Sequence, residues 1–199
     1  VTVEVDITMG IGIHLCGLGD IAVKESLLRT ITALQSLNYH IPGKKIVINL
    51  APADLHKSGS GYDLPIAIGI IAASQQRTLP LLGETLVMGE LGLDGSVRPI
   101  KGGLPIADFA AKNGFKKCIL PYSSALEASE MDGIDVYGIR SLEDAFGILE
   151  GKEEFDSLKV NTADFDFSRE VQPISYEVDF IDISGPEGAK RAMAMAAAG

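Results

Sequence analysis

Lys57-Ser-Gly-Ser-Gly-Tyr-Asp63-Leu-Pro-Ile-Ala67, with the apolar run Ile68-Gly-Ile-Ile-Ala-Ala73 behind it, is the stretch on which the fold turns. Its glycines let a polar loop bend sharply, and Pro65 falls in the first turn of the helix that follows, where its missing N–H does no harm. Asp63 is the expected N-cap of that helix, Leu64–Ser74. The helix is apolar almost all round, so it is expected at the centre of the molecule.

Upstream, Val1–Ile7 alternates as a strand does. Residues 20–37 predict an amphipathic helix capped by Asp20, with Val23, Leu27, Ile31 and Leu34 on one face and a Glu25–Arg29 pair at i,i+4. Pro42-Gly43 then turns into a strand, Lys45–Leu50. Downstream, Thr85–Leu91 and Ser96–Ile100 read as a hairpin turned at Asp94-Gly95. A helix from Leu104 to Asn113 stops at Gly114. Strand Lys117–Leu120, helix Ser124–Met131, strand Ile134–Gly138 and helix Leu142–Leu149, capped by Ser141, complete the series. Strands and helices mixed with a hairpin predict α/β or α+β architecture with a mixed sheet.

Composition narrows the function classes. The chain has 199 residues, 46% hydrophobic, with a net charge of −10, enough apolar content for a packed core. The balance argues against broad phosphate binding by this chain alone. No apolar run approaches the roughly 20 residues of a membrane helix, and no basic-then-apolar leader precedes the fold, so a cytoplasmic protein is expected. Cys16 and Cys118 lie in apolar runs without metal spacing and read as reduced core thiols. His14, His40 and His56 are scattered, so no metal is expected. Residues 1–150 carry a balance of −5 and residues 151–180 another −5. That step predicts a first domain over 1–150 and an acidic linker over 151–180. The start at Val1 inside a strand pattern, and the stop at Gly199 after a helix-forming alanine run, suggest a fragment of a longer protein.

Lys57-Ser58-Gly59-Ser60-Gly61 is the candidate functional loop. Exposed N–H groups there could hold an anion, or a serine could sit beside a base. It is not a P-loop: no Lys follows the last Gly, and Asp63 would repel phosphate. The plainer alternative is a tight polar connection. Lys44-Lys45 and Lys116-Lys117 are short basic pairs at strand starts, which solvation or a DNA-facing surface would both explain.

Four motifs follow one another: Leu18-Gly19-Asp20-Ile-Ala-Val-Lys24-Glu25-Ser26, Asn49-Leu-Ala-Pro-Ala-Asp54-Leu, Lys57–Ala67, and Gly89-Glu-Leu-Gly-Leu-Asp-Gly-Ser-Val-Arg-Pro-Ile100. Together they resemble the N-terminal domain of the ComM/YifB-type, magnesium-chelatase-like AAA+ ATPases, over essentially all of residues 1–150. Asp182–Ala192 resembles the first helix of that family's AAA+ module, which would make 181–199 the start of a truncated motor. The resemblance implies the ribosomal-protein-S5-domain-2-like fold of the Lon proteolytic domain. Laid on the Lon serine–lysine dyad, Asp63 stands at the nucleophile position and Ile106 at the lysine position. Neither can do that chemistry, which implies a non-catalytic domain. A pair rebuilt from Ser58 or Ser60 with Lys57 or Lys101 is the enzyme alternative, and a magnesium-chelatase motor subunit is a third. The family further implies a homo-hexameric, ATP- and Mg²⁺-dependent DNA motor for the whole protein, active in branch migration, with this domain assembling the ring or positioning DNA.

Overall fold

Alternating residues at the N-terminus half-bury every second side chain, as a one-faced strand does, and a computed structural model shows the sheet they build. It describes residues 1–17, 19–161 and 191. The first strand, β1 (Thr2–Thr8), and the second, β2 (Gly12–Cys16), both pair with β3 (Lys45–Ala51), which lies between them. β1 runs antiparallel and β2 parallel to β3, with Thr8 and Gly12 both opposite Lys45. The connection 9–11 therefore straddles the start of β3. Ile46, Ile48 and Leu50 of β3 are fully buried.

Two helices complete this half: α1 (Ile21–Ser36) and α2 (Asp63–Ala73). α2 packs on both β1 and α1. Helix and sheet come so close at Gly69 that a Cβ there would lie 2.5 Å from Val5 Cγ2. The second half is a parallel sheet in the order β4-β7-β8, formed by β4 (Thr85–Val87), β7 (Lys117–Pro121) and β8 (Asp135–Ile139). A short antiparallel ribbon joins β5 (Glu90–Leu91) to β6 (Val97–Arg98). Helices α3 (Gly103–Lys112), α4 (Tyr122–Leu126) and α5 (Leu142–Leu149) lie in the connections. Apolar side chains form two clusters. One, around α2 and β3, continues to Phe146 and Leu149; the other joins α3 to β7 and β8 through Ala107, Ala110, Cys118 and Val136. The mixed α/β class expected from the sequence is the observed one.

Several elements differ from the sequence reading for identifiable reasons. The long hairpin is split: β4 leaves to pair in parallel with β7, and only Glu90-Leu91 meets Val97-Arg98. Its turn stands, with Gly95 at φ +83° and the Asp94 carboxylate accepting from the Ser96 N–H. The helix expected over 124–131 starts at Tyr122 and ends at Leu126, after which 3-10-type bonds such as Ala128 N–H to Ala125 O take over. On α1 the buried face is Val23, Ser26, Thr30, Ala33 and Leu34, while Leu27 and Ile31 are half-buried. Cys16 is exposed and so is not a core thiol, because it lies on the outward face of the edge strand β2; Cys118 is buried as expected.

Packing also continues past the compositional step at 150. Val160 is buried and its N–H donates to Val136 O at 2.9 Å. Phe155 lies where a side chain on Gly147 would sit. The chain divides into two compact units, Val1–Phe165 and Asp166–Gly199. The first part of the expected linker thus belongs to the first unit, held there by apolar contacts that a charge count does not register. The rest of the linker and the expected helix over 181–199 lie outside the described residues, apart from Arg191.

Candidate functional site

Ligands of open α/β sheets gather beyond the carboxyl ends of the parallel strands, and the glycine loop is hung at that end. Leaving β4, Met88 N–H donates to Ile119 O, and Gly89 N–H then donates to Gly61 O at 3.0 Å. Leu64 N–H, in the first turn of α2, donates back to Gly89 O at 3.0 Å. A Cβ on Gly89 would crowd Leu64 and Val97 and touch Pro121, so glycine eases the close approach of the three segments. From the other side, Gly19 bridges Lys57, and Asp20 N–H donates to Lys57 O at 3.0 Å. The Asp20 carboxylate caps α1 through Val23 N–H at 2.8 Å and accepts from Gly59 N–H at 3.4 Å.

Lys57 supplies the fourth connection. Its side chain is 1% exposed, and its ammonium donates to the carbonyl of Pro52, which follows a cis peptide bond. All four motifs read from the sequence therefore meet at one junction.

Asp63 is the centre of it. It is fully buried and is not the cap expected of it: Tyr62 holds the N-cap position without a side-chain bond. The carboxylate instead accepts from Arg29 Nε at 2.8 Å, from Arg29 Nη2 at 3.1 Å, from the Ser26 hydroxyl and from Leu91 N–H at 3.1 Å. Thr30 Oγ1 donates to the Asp63 carbonyl. One carboxylate thus ties α1, the start of α2 and β5 together. The hydrogen bond that Arg29 donates to Asp63, reinforced by the Asp63 charge and opposed by burial, holds the Arg29 guanidinium above its usual value. This explains why Arg29 does not make the pair expected with Glu25: a desolvated bidentate carboxylate outweighs an exposed helix-surface partner.

The other candidates are separated by their partners. Ser60 donates its hydroxyl to the Glu90 carboxylate, which also lies 3.8 Å from Arg98. Ser58 and Lys101 are exposed. Ile106 is half-buried and packs into the α3–β7–β8 cluster. Lys57 is turned toward Pro52, so the structure does not bring Ser60 and Lys57 together as nucleophile and base. Beside the loop, burial and the negative charge of Asp20 push the Tyr62 phenol upward. His14, His40 and His56 are all exposed.

The junction does not fit a nucleotide phosphate. Its one lysine points inward, and Asp20, Asp63 and Glu90 surround the loop. Among the described residues no three His, Cys, Asp or Glu side chains are grouped to hold a metal ion. No described helix is long and apolar enough to cross a membrane. Sequence reasoning missed Arg29, Ser26 and Glu90 as members of the junction. The available signal was Ser26 and Thr30, two polar residues spaced i,i+4 on what became the buried side of α1.

Residues 3–124 match the family described as subunit ChlI of Mg-chelatase. YifB of Escherichia coli (strain K12), an uncharacterized protein, is 38% identical over 200 residues, which cover 100% of this chain and 38% of YifB. Competence protein ComM of Haemophilus influenzae (strain ATCC 51907 / DSM 11121 / KW20 / Rd) is 37% identical over 204 residues, with 100% of this chain and 38% of ComM covered. DNA repair protein RadA of the same organism is 31% identical over 93 residues, 47% of this chain and 20% of RadA. The chain thus spans 38% of the length of YifB and of ComM. Similar to these two proteins from end to end, and to ChlI over most of the described fold, the chain belongs to the magnesium-chelatase-like family of the ComM/YifB type.

Proposed function

We propose that this chain is the non-catalytic N-terminal module of a magnesium-chelatase-like AAA+ ATPase, and that the whole protein is a cytoplasmic homo-hexameric motor on DNA, working in branch migration during recombination or natural transformation. The module assembles the ring or positions DNA on it. ATP and Mg²⁺ belong to the motor part of the protein, since the glycine loop here is a poor phosphate site. The observation that carries the non-catalytic reading is Asp63: the residue at the Lon-type nucleophile position is fully buried and committed to Arg29, Ser26 and Leu91. The names of two relatives, a competence protein and a DNA repair protein, support DNA as the partner.

The test uses the protein at its natural full length. ATP hydrolysis that rises on adding branched DNA, together with strand displacement on a branched substrate, is the expected result. A protein that neither hydrolyses ATP nor binds branched DNA would contradict the proposal. A Ser/Lys peptidase draws less support, because Ser60 and Lys57 are engaged by Glu90 and Pro52 rather than by each other. Casein cleavage that disappears in Ser60→Ala would favour it. The chelatase reading rests on the ChlI family name, and Mg²⁺ insertion into a porphyrin would be its readout.

A further inference from the structure

The connection between β1 and β2 exposes apolar side chains that the fold does not account for. Apolar side chains bury when they can, yet Met9 is 93% exposed and Ile11 88% exposed, the two highest values among the large apolar residues described as exposed. They flank Gly10, and the segment is held over the start of β3 because Thr8 and Gly12 both pair with Lys45. A Cβ on Gly10 would lie 3.2 Å from Lys45 Cβ, so the tip rests on the aliphatic stem of that lysine. Gly10 and Gly12 have φ of +127° and +107°, a conformation that presents the two apolar side chains outward at little cost only with glycine.

Charge marks the same place. Lys112, Lys116, Lys117, Lys152 and Lys159 all pair with carboxylates, and Lys57 is turned inward. Lys24, Lys44, Lys45 and Lys101 make no ion pair among the described residues, and of these four only Lys44 and Lys45 are neighbours in the chain. The carboxylate closest in register is Asp6, opposite Val47 two positions along β3. In a chain of net charge −10, two adjacent cations without partners beside two exposed apolar side chains form a local exception. Their chemistry complements a polyanion that also offers apolar surface.

We infer that the tip Met9–Ile11, with Lys44 and Lys45, is a DNA-contacting element: the lysines meet phosphates, and Met9 and Ile11 wedge against exposed base faces at a junction or end. Methionine and isoleucine are among the side chains that serve as such wedges, and each lysine–phosphate contact releases counterions. An anionic lipid surface fits less well, since two lysines and two short side chains fall below the double anchor that stable membrane attachment needs. The inference rests on the proposed DNA-motor reading and names the surface that this reading leaves unassigned.

The test is fluorescence anisotropy of a labelled four-way junction with the full-length protein, across a salt series. Lys44→Glu/Lys45→Glu is expected to weaken binding at least about tenfold and to lower the slope of log K against log salt by about 2 for each engaged protomer. Met9→Ala/Ile11→Ala should weaken binding with the salt slope unchanged. Urea midpoints equal to the parent protein confirm that both variants are folded. Parent-level affinity in both variants would overturn the inference while leaving the DNA reading intact. Phosphatidylserine vesicles that bind the parent and lose both variants, with DNA binding unaffected, would overturn it in favour of a membrane. A parent protein that binds no junction DNA would instead bring down the reading on which the inference rests.

Discussion

The glycine-loop junction and the α3–β7–β8 region of the molecule are held by different means. At the junction the fixed points are polar and buried: Asp63, Lys57, Ser26 and Thr30, linked by hydrogen bonds that cross from α1 to β5. In the other region the fixed points are alanines, Cys118, Val136 and Val160 in an apolar cluster, with the buried Ser124 hydroxyl, bonded to the Ile100 backbone, as a local polar tie. An apolar cluster tolerates volume-conserving exchange. A buried charge network tolerates loss of a member poorly, because the remaining partner keeps its desolvation cost. The region that looks most like an active site in sequence is therefore also the region with the most to lose structurally.

That contrast orders the expected effects. Asp63→Ala should be the most damaging single change. It strands Arg29 and the Leu91 N–H, and since the Arg29 side chain keeps 23% of its exposure the cost falls at the low end of the range for a broken buried pair, about 3 kcal/mol, read as a lower urea midpoint. Gly103→Ala attacks the other half by overpacking: a Cβ there would sit 1.8 Å from Ser124 O, backbone that cannot yield cheaply. A loss of about 1–3 kcal/mol is expected, and a larger loss than for Asp63→Ala would invert the comparison. Ser141→Ala removes the α5 cap and should cost about 1 kcal/mol.

The two thiols give the smallest and cleanest contrast. Burial pushes the Cys118 thiol up to about 12, whereas Cys16 is exposed. A disulfide reagent at pH 8 should titrate one thiol in the native protein and two in urea. Because the folded value of Cys118 lies above the unfolded one, its contribution to stability is complete below about pH 8.5. It is lost as pH rises toward 12. Fast reaction of both thiols in the native state would show that the apolar half opens more readily than its packing indicates.

The two aspartates that precede helices show how far the sequence could be read. Asp20 and Asp63 carry the same local signal, an acidic residue before an amphipathic or apolar run, and both read as caps. Asp20 is one. Asp63 is taken by Arg29, 34 positions earlier, and by a backbone N–H 28 positions later, and no local rule reports partners at that distance. The same limit explains the split hairpin. Thr85–Val87 has a strand's composition, but its parallel partner β7 comes some thirty residues later, after a helix. Local chemistry was legible where it stayed local, as at Ser141, Gly95 and Gly114. The packing of 151–160 was hidden behind its charges, since Phe155 and Val160 anchor a stretch that otherwise reads as solvated. The glycine loop was legible as a place where motifs meet, and its role as a fastening needed Arg29 and Leu91 in view.

The claim that Asp63 is a structural fastening is tested most directly by a double-mutant cycle in urea with Arg29→Met, Asp63→Ala and the double variant. The account predicts single losses of about 3 kcal/mol that do not add, with a coupling energy of about 2 kcal/mol, and no peptide cleavage by any variant or by the parent. Single losses that add to within about 0.5 kcal/mol, with peptide cleavage by the parent that vanishes in Asp63→Ala, would contradict it.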